Sequence, residues 1–181
     1  ALSFNSTHLS AYNLTIEPNT EFAKFIPANL PNDDLCYAMQ DQIINQLSAH
    51  GFQRYETSAY AQKAHQAQHN LNYWHFGDYL GIGAGAHSKL SFHDKIIRQS
   101  RHKHPQEYMK RILNQQQILE NSVVQKADLS LEFMMNALRL NEGFGIELFE
   151  RYTGLPWLIV SRQVDAAIQD GFLEWVEPNQ H

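Results

Sequence analysis

The sequence predicts an α/β region followed by an α-helical, winged-helix-like domain. Three observations predict it. A strand, a helix and a second strand succeed one another over residues 12–60, the order of a βαβ unit with parallel strands. A glycine-punctuated segment and a hairpin pattern follow, over residues 78–100. From Pro105 helical periodicity takes over, and two helices, Gly-Phe-Leu and a strand pattern close the chain, as in a winged helix lacking its second wing strand. The change of pattern lies between residues 98 and 105, so the expected domains are 1–100 and 101–181.

In chain order, Tyr12, Leu14 and Ile16 alternate as one face of a strand that Pro18 and Asn19 end. Pro31-Asn32-Asp33 starts a helix with Leu35, Met39, Ile43 and Leu47 as its buried stripe and Gly51 as its stop. Residues 52–60 read as the second strand and Asp78 to Ile82 as a short third one. Residues 89–100 read as a hairpin turning at His93-Asp94. Tyr108, Ile112 and Leu119 recur at helical spacing. An apolar helix then runs from Asp128 to a stop at Gly143, a short one covers 145–154, and another has Pro156 in its first turn and Gly171 at its end. Residues 172–176 begin the closing strand.

Composition narrows the function classes. The 181 residues are 43% hydrophobic and 12% aromatic, enough for a packed core. No run reaches the roughly 18 apolar residues of a membrane span. Cys36 is the only cysteine, so a disulfide framework is excluded and a reducing, cytoplasmic setting is expected. A net charge of −5 argues against a nucleic-acid footprint. The helix from Leu158 would be the DNA-reading element, yet it offers Arg162 beside Asp165 and Asp170 and no basic cluster. Its apolar Leu158, Val164 and Ile168 suggest packing instead.

The densest chemistry lies in "HNLNYWHFGDYLGIGAGAHS", residues 69–88. Gly81, Gly83 and Gly85 strip side chains from a strand end, which admits either a flat ligand or a neighbouring backbone. The run also fits a dinucleotide fingerprint, but no amphipathic helix and no acidic strand end follow it. His69, Tyr73 and Trp74 suit a porphyrin, with imidazole for the iron and aromatic faces for the ring. They equally suit a His-Asn cap beside a buried tryptophan. His65 and His69 lack the third ligand a zinc site needs. His102-Lys103-His104 reads as a solvated loop, and Asp33-Asp34 suits a helix start. No nucleophile–base pair stands out, so no catalytic residue is expected.

The same residues carry a family resemblance. "HNLNYW…GDYLGIGAGAHS" resembles the HNxxYW…GxGxGAHS segment of the HemW-type heme chaperones, radical-SAM relatives of oxygen-independent coproporphyrinogen III oxidase. "HLSAYNLTIEPNT", "GFQRYETSAYA" and the helical part from Pro105 resemble that family in the same order. The resemblance implies the last βα units of a partial (β/α) barrel, followed by the family's C-terminal helical domain. It implies a heme-binding element of His69, Asn70, Tyr73 and Trp74. It implies that Gly81, Gly83, Gly85 and His87, with Thr15, lie close to S-adenosylmethionine. The family's [4Fe–4S] cluster needs a CxxxCxxC loop, which a chain with one cysteine lacks. The cluster and S-adenosylmethionine are therefore expected in a longer parent protein, of which this is the C-terminal half. Heme and heme-receiving proteins are the implied partners, with self-association through an open barrel edge and no nucleic acid. A coproporphyrinogen-oxidising enzyme and a ligand-free interaction module are the rival readings.

Overall fold

A computed structural model describes residues 1–116 and 118–176. The chain divides into two compact units. One comprises Ala1–Leu71 with Arg139–Glu142, the other Asn72–Leu138 with the residues from Gly143 on.

The first unit is a three-stranded sheet with helices. Strand β1 is His8–Ser10, followed by the single-turn α1 at Glu21–Lys24 and the long α2 at Asp33–Ser48. Strands β2, Phe52–Glu56, and β3, Ala59–Gln62, follow as a tight hairpin. The order is β1-β3-β2, with Leu9 opposite Tyr60 and Gln53 opposite Ala61. β1 and β2 both run antiparallel to β3, so they share a direction, but β3 lies between them. The adjacent parallel pair expected from the sequence is therefore not formed. Glu56 is the reason. Its buried carboxylate accepts from the Thr57 hydroxyl at 3.0 Å, from Ser58 N at 3.2 Å and from the Ser58 hydroxyl at 3.1 Å. Local side-chain bonds of this kind compete with extended backbone and turn the chain.

The first strand also lies earlier than its alternation suggests. Ala11 N still donates to Ser58 O at 2.8 Å, but β3 begins at Ala59 and offers no partner beyond it. Tyr12 and Leu14 consequently stand exposed. The side chain of Asn32 caps α2 by accepting from Leu35 N at 2.9 Å. The lower part of the expected stripe packs, since Leu47, with Ile43 and Ile44, lies against Phe52 and Tyr60. Leu35 and Met39 are exposed. Residues 139–142 run along β2, with Thr57 N donating to Arg139 O and Asn141 N to Tyr55 O, both at 3.1 Å.

Helix α3, Gln68–Trp74, crosses from the first unit into the second. There β4, His87–Ser91, and β5, Ile96–Arg101, form the expected hairpin, closed by Phe92 N donating to Lys95 O at 2.8 Å. The short third strand is absent: residues 78–82 contribute only an isolated bridge between Tyr79 and Lys89. After α4, Pro105–Leu113, the chain turns through Gln115 at φ 56° and returns as β6, Ile118–Val123, beside β5. Leu119 thus lies in a strand and not in the expected helix. Its helical spacing from Ile112 is overridden by the pairing of β6 with β5, where Leu119 sits at the register shift between the Ser100–Glu120 and Arg101–Ile118 pairs.

Helices α5, Lys126–Ala137, α6, Ile146–Thr153, and α7, Leu158–Gln169, complete the unit. α5 ends well before Gly143, whereas Gly154 terminates α6 at φ 65° as a left-handed cap. The core gathers Phe76, Ile96, Leu129, Phe133, Ala137, Phe149 and Val160. Phe133 meets Phe76, Phe144 and Phe149 edge-on, with ring centroids 5.1–5.5 Å apart. On α7 Val160 is buried and the expected Val164 and Ile168 are half-buried, while Leu158 is exposed, contrary to the sequence expectation. Residues 172–176 form no strand, and Phe172 and Trp175 stand exposed. Any wing beyond Val176 lies outside the described residues.

Candidate functional site

The HNLNYW element is helical and lies on α3. With 3.6 residues per turn, His69 and Tyr73 fall on one face of α3 and Asn70 and Trp74 on the next. His69 and Tyr73 are exposed; Asn70 and Trp74 are partly buried. A helix exposing an imidazole and an aromatic ring one turn apart can offer a lone pair to a metal and a flat face to a large ring.

Asn70 is held from within the first unit. Its amide donates to the Tyr55 hydroxyl at 3.0 Å, and that hydroxyl lies 2.9 Å from His8 Nε2. Burial lowers the His8 pKa below its usual 6.5; the nearby His69 acts in the same direction and Glu56 opposes both. The Tyr55 hydroxyl, with one proton and two lone pairs, thus bridges the Asn70 amide and the His8 ring. Neither His8 nor Tyr55 was recognisable in the sequence, because β3 pairs with the strands that carry them and no local spacing connects residues 47 apart.

Beyond Trp74, the buried Phe76 takes φ 60°, a left-handed conformation rare for a bulky residue. Lys89 secures it. The Lys89 ammonium, with its side chain 2% exposed, donates to Phe76 O at 2.8 Å, to Asp78 Oδ1 at 3.1 Å and to the Ser91 hydroxyl at 3.0 Å. Burial pushes the lysine pKa down, and Asp78 partly restores it. Burial would raise the Asp78 pKa, but hydrogen bonds from Ser91 and Lys89 outweigh it and hold the carboxyl below its usual value. Tyr79 follows, its ring edge-on to Tyr73 with centroids 4.5 Å apart.

The glycine run is a loop, not a strand end. A Cβ at Gly81 would collide with the His87 backbone, and Gly81 N donates to the Ser88 hydroxyl at 2.9 Å. Gly83 has φ 109°, a value that side chains disfavour, and its N donates to the Tyr108 hydroxyl at 3.1 Å. Gly85 N bonds His102 O at 2.9 Å, and exposed His87 opens β4. Beside the loop, Arg101 Nε donates to Gly81 O at 3.4 Å, and the buried Arg101 Nη1 has no hydrogen-bond partner among the described residues. Thr15 belongs to the first unit. It lines a cleft of about 290 Å³ with Asn13, Gln40, Ser58 and Arg139. Arg139 in turn pairs with buried Glu56 at 3.1 Å.

Cys36 on α2 is the only thiol and does not fit an iron–sulfur cluster. Among the described residues, no group of three or more His, Cys, Asp or Glu is placed to hold a metal ion. No helix among them is long and apolar enough to cross a membrane.

Residues 124–175 match the family described as the HemN C-terminal domain. The chain is 46% identical over 174 residues to the heme chaperone HemW of Haemophilus influenzae, covering 96% of this chain and 44% of that protein. Its identity to the heme chaperone HemW of Escherichia coli is also 46%, over 96% of this chain and 45% of that one. This chain is a homologue of part of these HemW proteins. It spans less than half their length. The structure resembles that of the coproporphyrinogen III oxidase HemN from Escherichia coli, described as a radical SAM enzyme. The TM-score is 0.70, with 17% identity over 97% of this chain and 44% of that one. At that identity the likeness establishes a shared mixed α/β fold and no more.

Proposed function

We propose that this chain is part of a heme chaperone that binds heme and passes it to heme-receiving proteins, with α3 as the heme-binding element. The observation that carries the proposal is the exposed His69 and Tyr73, one turn apart on a helix whose sequence is the HNxxYW element. Heme brings a planar apolar ring and an iron with open axial positions. His69 supplies the imidazole lone pair, and Tyr73 supplies an aromatic face. Asn70 and Trp74 orient the helix that presents them. Identity of 46% to HemW chaperones, against 17% to the HemN oxidase, favours the chaperone over the enzyme.

The same reading makes residues 1–100 the last βα units of a partial barrel, and 101–181 the helical, winged-helix-like domain. In it, Gly81, Gly83, Gly85, His87 and Thr15 are the residues for S-adenosylmethionine. The loop's closeness to the backbone and the unpartnered Arg101 Nη1 suit a ligand rich in hydrogen-bond acceptors. The [4Fe–4S] cluster belongs to cysteines other than Cys36. The reading further carries a cytoplasmic location and self-association through the edge strands β1 and β2.

Heme titration followed at the Soret band tests the proposal. His69→Ala abolishes the ligand-dependent spectrum and leaves the melting temperature within about 2 °C, as for an exposed side chain. An unchanged spectrum and affinity in His69→Ala would rule His69 out as the ligand.

A further inference from the structure

We infer that Arg98 is a positioning residue for the Tyr73 ring, acting through Tyr79; the inference rests on the reading of α3 as the heme-binding element. Tyr73 is 38% exposed, and Tyr79 of the following loop forms an aromatic wall behind it, edge-on at 4.5 Å and 72°. That wall is fixed at both ends. The Tyr79 backbone exchanges two hydrogen bonds with Lys89, at 3.0 and 3.1 Å. The Tyr79 hydroxyl accepts from Arg98 Nη1 at 3.0 Å. Lys89 and Arg98 face each other across β4 and β5, so a single cross-strand pair anchors both the backbone and the hydroxyl of Tyr79.

Arg98 is itself held. Its Nη2 and Nε donate to Glu132 Oε2 on α5, at 2.6 and 3.1 Å. The guanidinium is planar and its donors are set in a rigid fork, so the carboxylate that fixes two of them also fixes the direction of the third. The chain of contacts runs Glu132, Arg98, Tyr79, Tyr73, entirely within the second unit. Simple packing behind Tyr73 would need only an apolar ring at position 79. An ion pair directed at the hydroxyl of that ring adds orientation. A ring held in one rotamer before binding loses less freedom when a flat ligand settles on its open face. Arg98, Tyr79 and Glu132 therefore set the affinity for heme without touching it.

The test uses the full-length protein labelled with 3-fluorotyrosine, the Tyr73 resonance being assigned by its loss in Tyr73→Phe. Arg98→Met, and Tyr79→Phe, which keeps the ring and removes only the hydroxyl, shift or broaden that resonance in the absence of heme. In Soret titrations both raise the heme Kd roughly three- to tenfold, the scale of coupling between residues in contact. In a Tyr73→Ala background the Arg98→Met change adds no further loss, because Arg98 acts only through Tyr73. A purely structural role predicts a lower melting temperature with additive effects on Kd. Should Arg98→Met fail to fold, Tyr79→Phe decides by itself. An unmoved Tyr73 resonance, or an unchanged heme Kd where Tyr73→Ala does weaken binding, overturns the positioning role and leaves the heme reading standing. Wild-type heme binding in Tyr73→Ala overturns the role of Tyr73 itself, and the positioning role with it.

Discussion

The ammonium of Lys89 donates to the backbone carbonyl of Phe76 at 2.8 Å while lying 4.1 Å from the centre of the same residue's ring. A buried cation thus holds both the main chain and the side chain of a residue in the left-handed region. Its counter-ion, Asp78, is 43% exposed. Asp78→Ala leaves the lysine buried without its carboxylate and costs about 3 kcal/mol, the lower end for breaking a buried pair. Urea denaturation measures the loss. A Cm within error of wild type would show that Phe76 O and Ser91 suffice for the charge.

His8 predicts a pH dependence. Its pKa in the folded chain is lowered from 6.5, so between the folded value and 6.5 the unfolded chain binds the proton more readily. Stability is therefore complete above about pH 6.5 and declines as pH falls through that window. In melting curves from pH 7.5 to 5, His8→Gln flattens this part of the decline relative to wild type. Parallel curves for the two proteins would remove His8 as a contributor.

Gly81 predicts a steric effect without a conformational one. Its φ is not positive, yet a Cβ there meets the His87 backbone, which cannot swing away like a side-chain tip. Gly81→Ala is expected to cost about 1–3 kcal/mol, as overpacking does. Amide exchange at Gly81, Gly83 and Gly85 should rise together as the loop lifts. A variant as stable and as protected as wild type would contradict the close approach.

Phe133 has no exposed surface and touches three other rings edge-on. Phe133→Ala is expected to cost about 3–5 kcal/mol, while Phe133→Leu costs clearly less because most of the volume is kept. Thermal unfolding of both variants checks the order, and equal losses would mean that ring geometry outweighs volume.

Local chemistry made part of this protein legible. The caps and stops of α2, the hairpin at His93-Asp94 and the helices α5 to α7 depend on residues within four or five positions of one another. The HNLNYW element and its family resemblance depend only on contiguous residues. The tertiary structure decided the rest. One strand over 52–60 became two at Glu56, whose carboxylate bonds Thr57 and Ser58 where the chain turns and is also met by Arg139, 83 residues away. Leu119 joined a strand because its neighbours Ile118 and Glu120 pair with Arg101 and Ser100 of β5. His8 met Asn70 through Tyr55, and Arg98 met Tyr79 under the hold of Glu132. Helical periodicity and turn chemistry act over short separations, so a sequence displays them. Strand pairing and buried polar partners join segments whose closeness depends on the whole set of packing and loop-closure terms, and no spacing of residues along the chain records that sum.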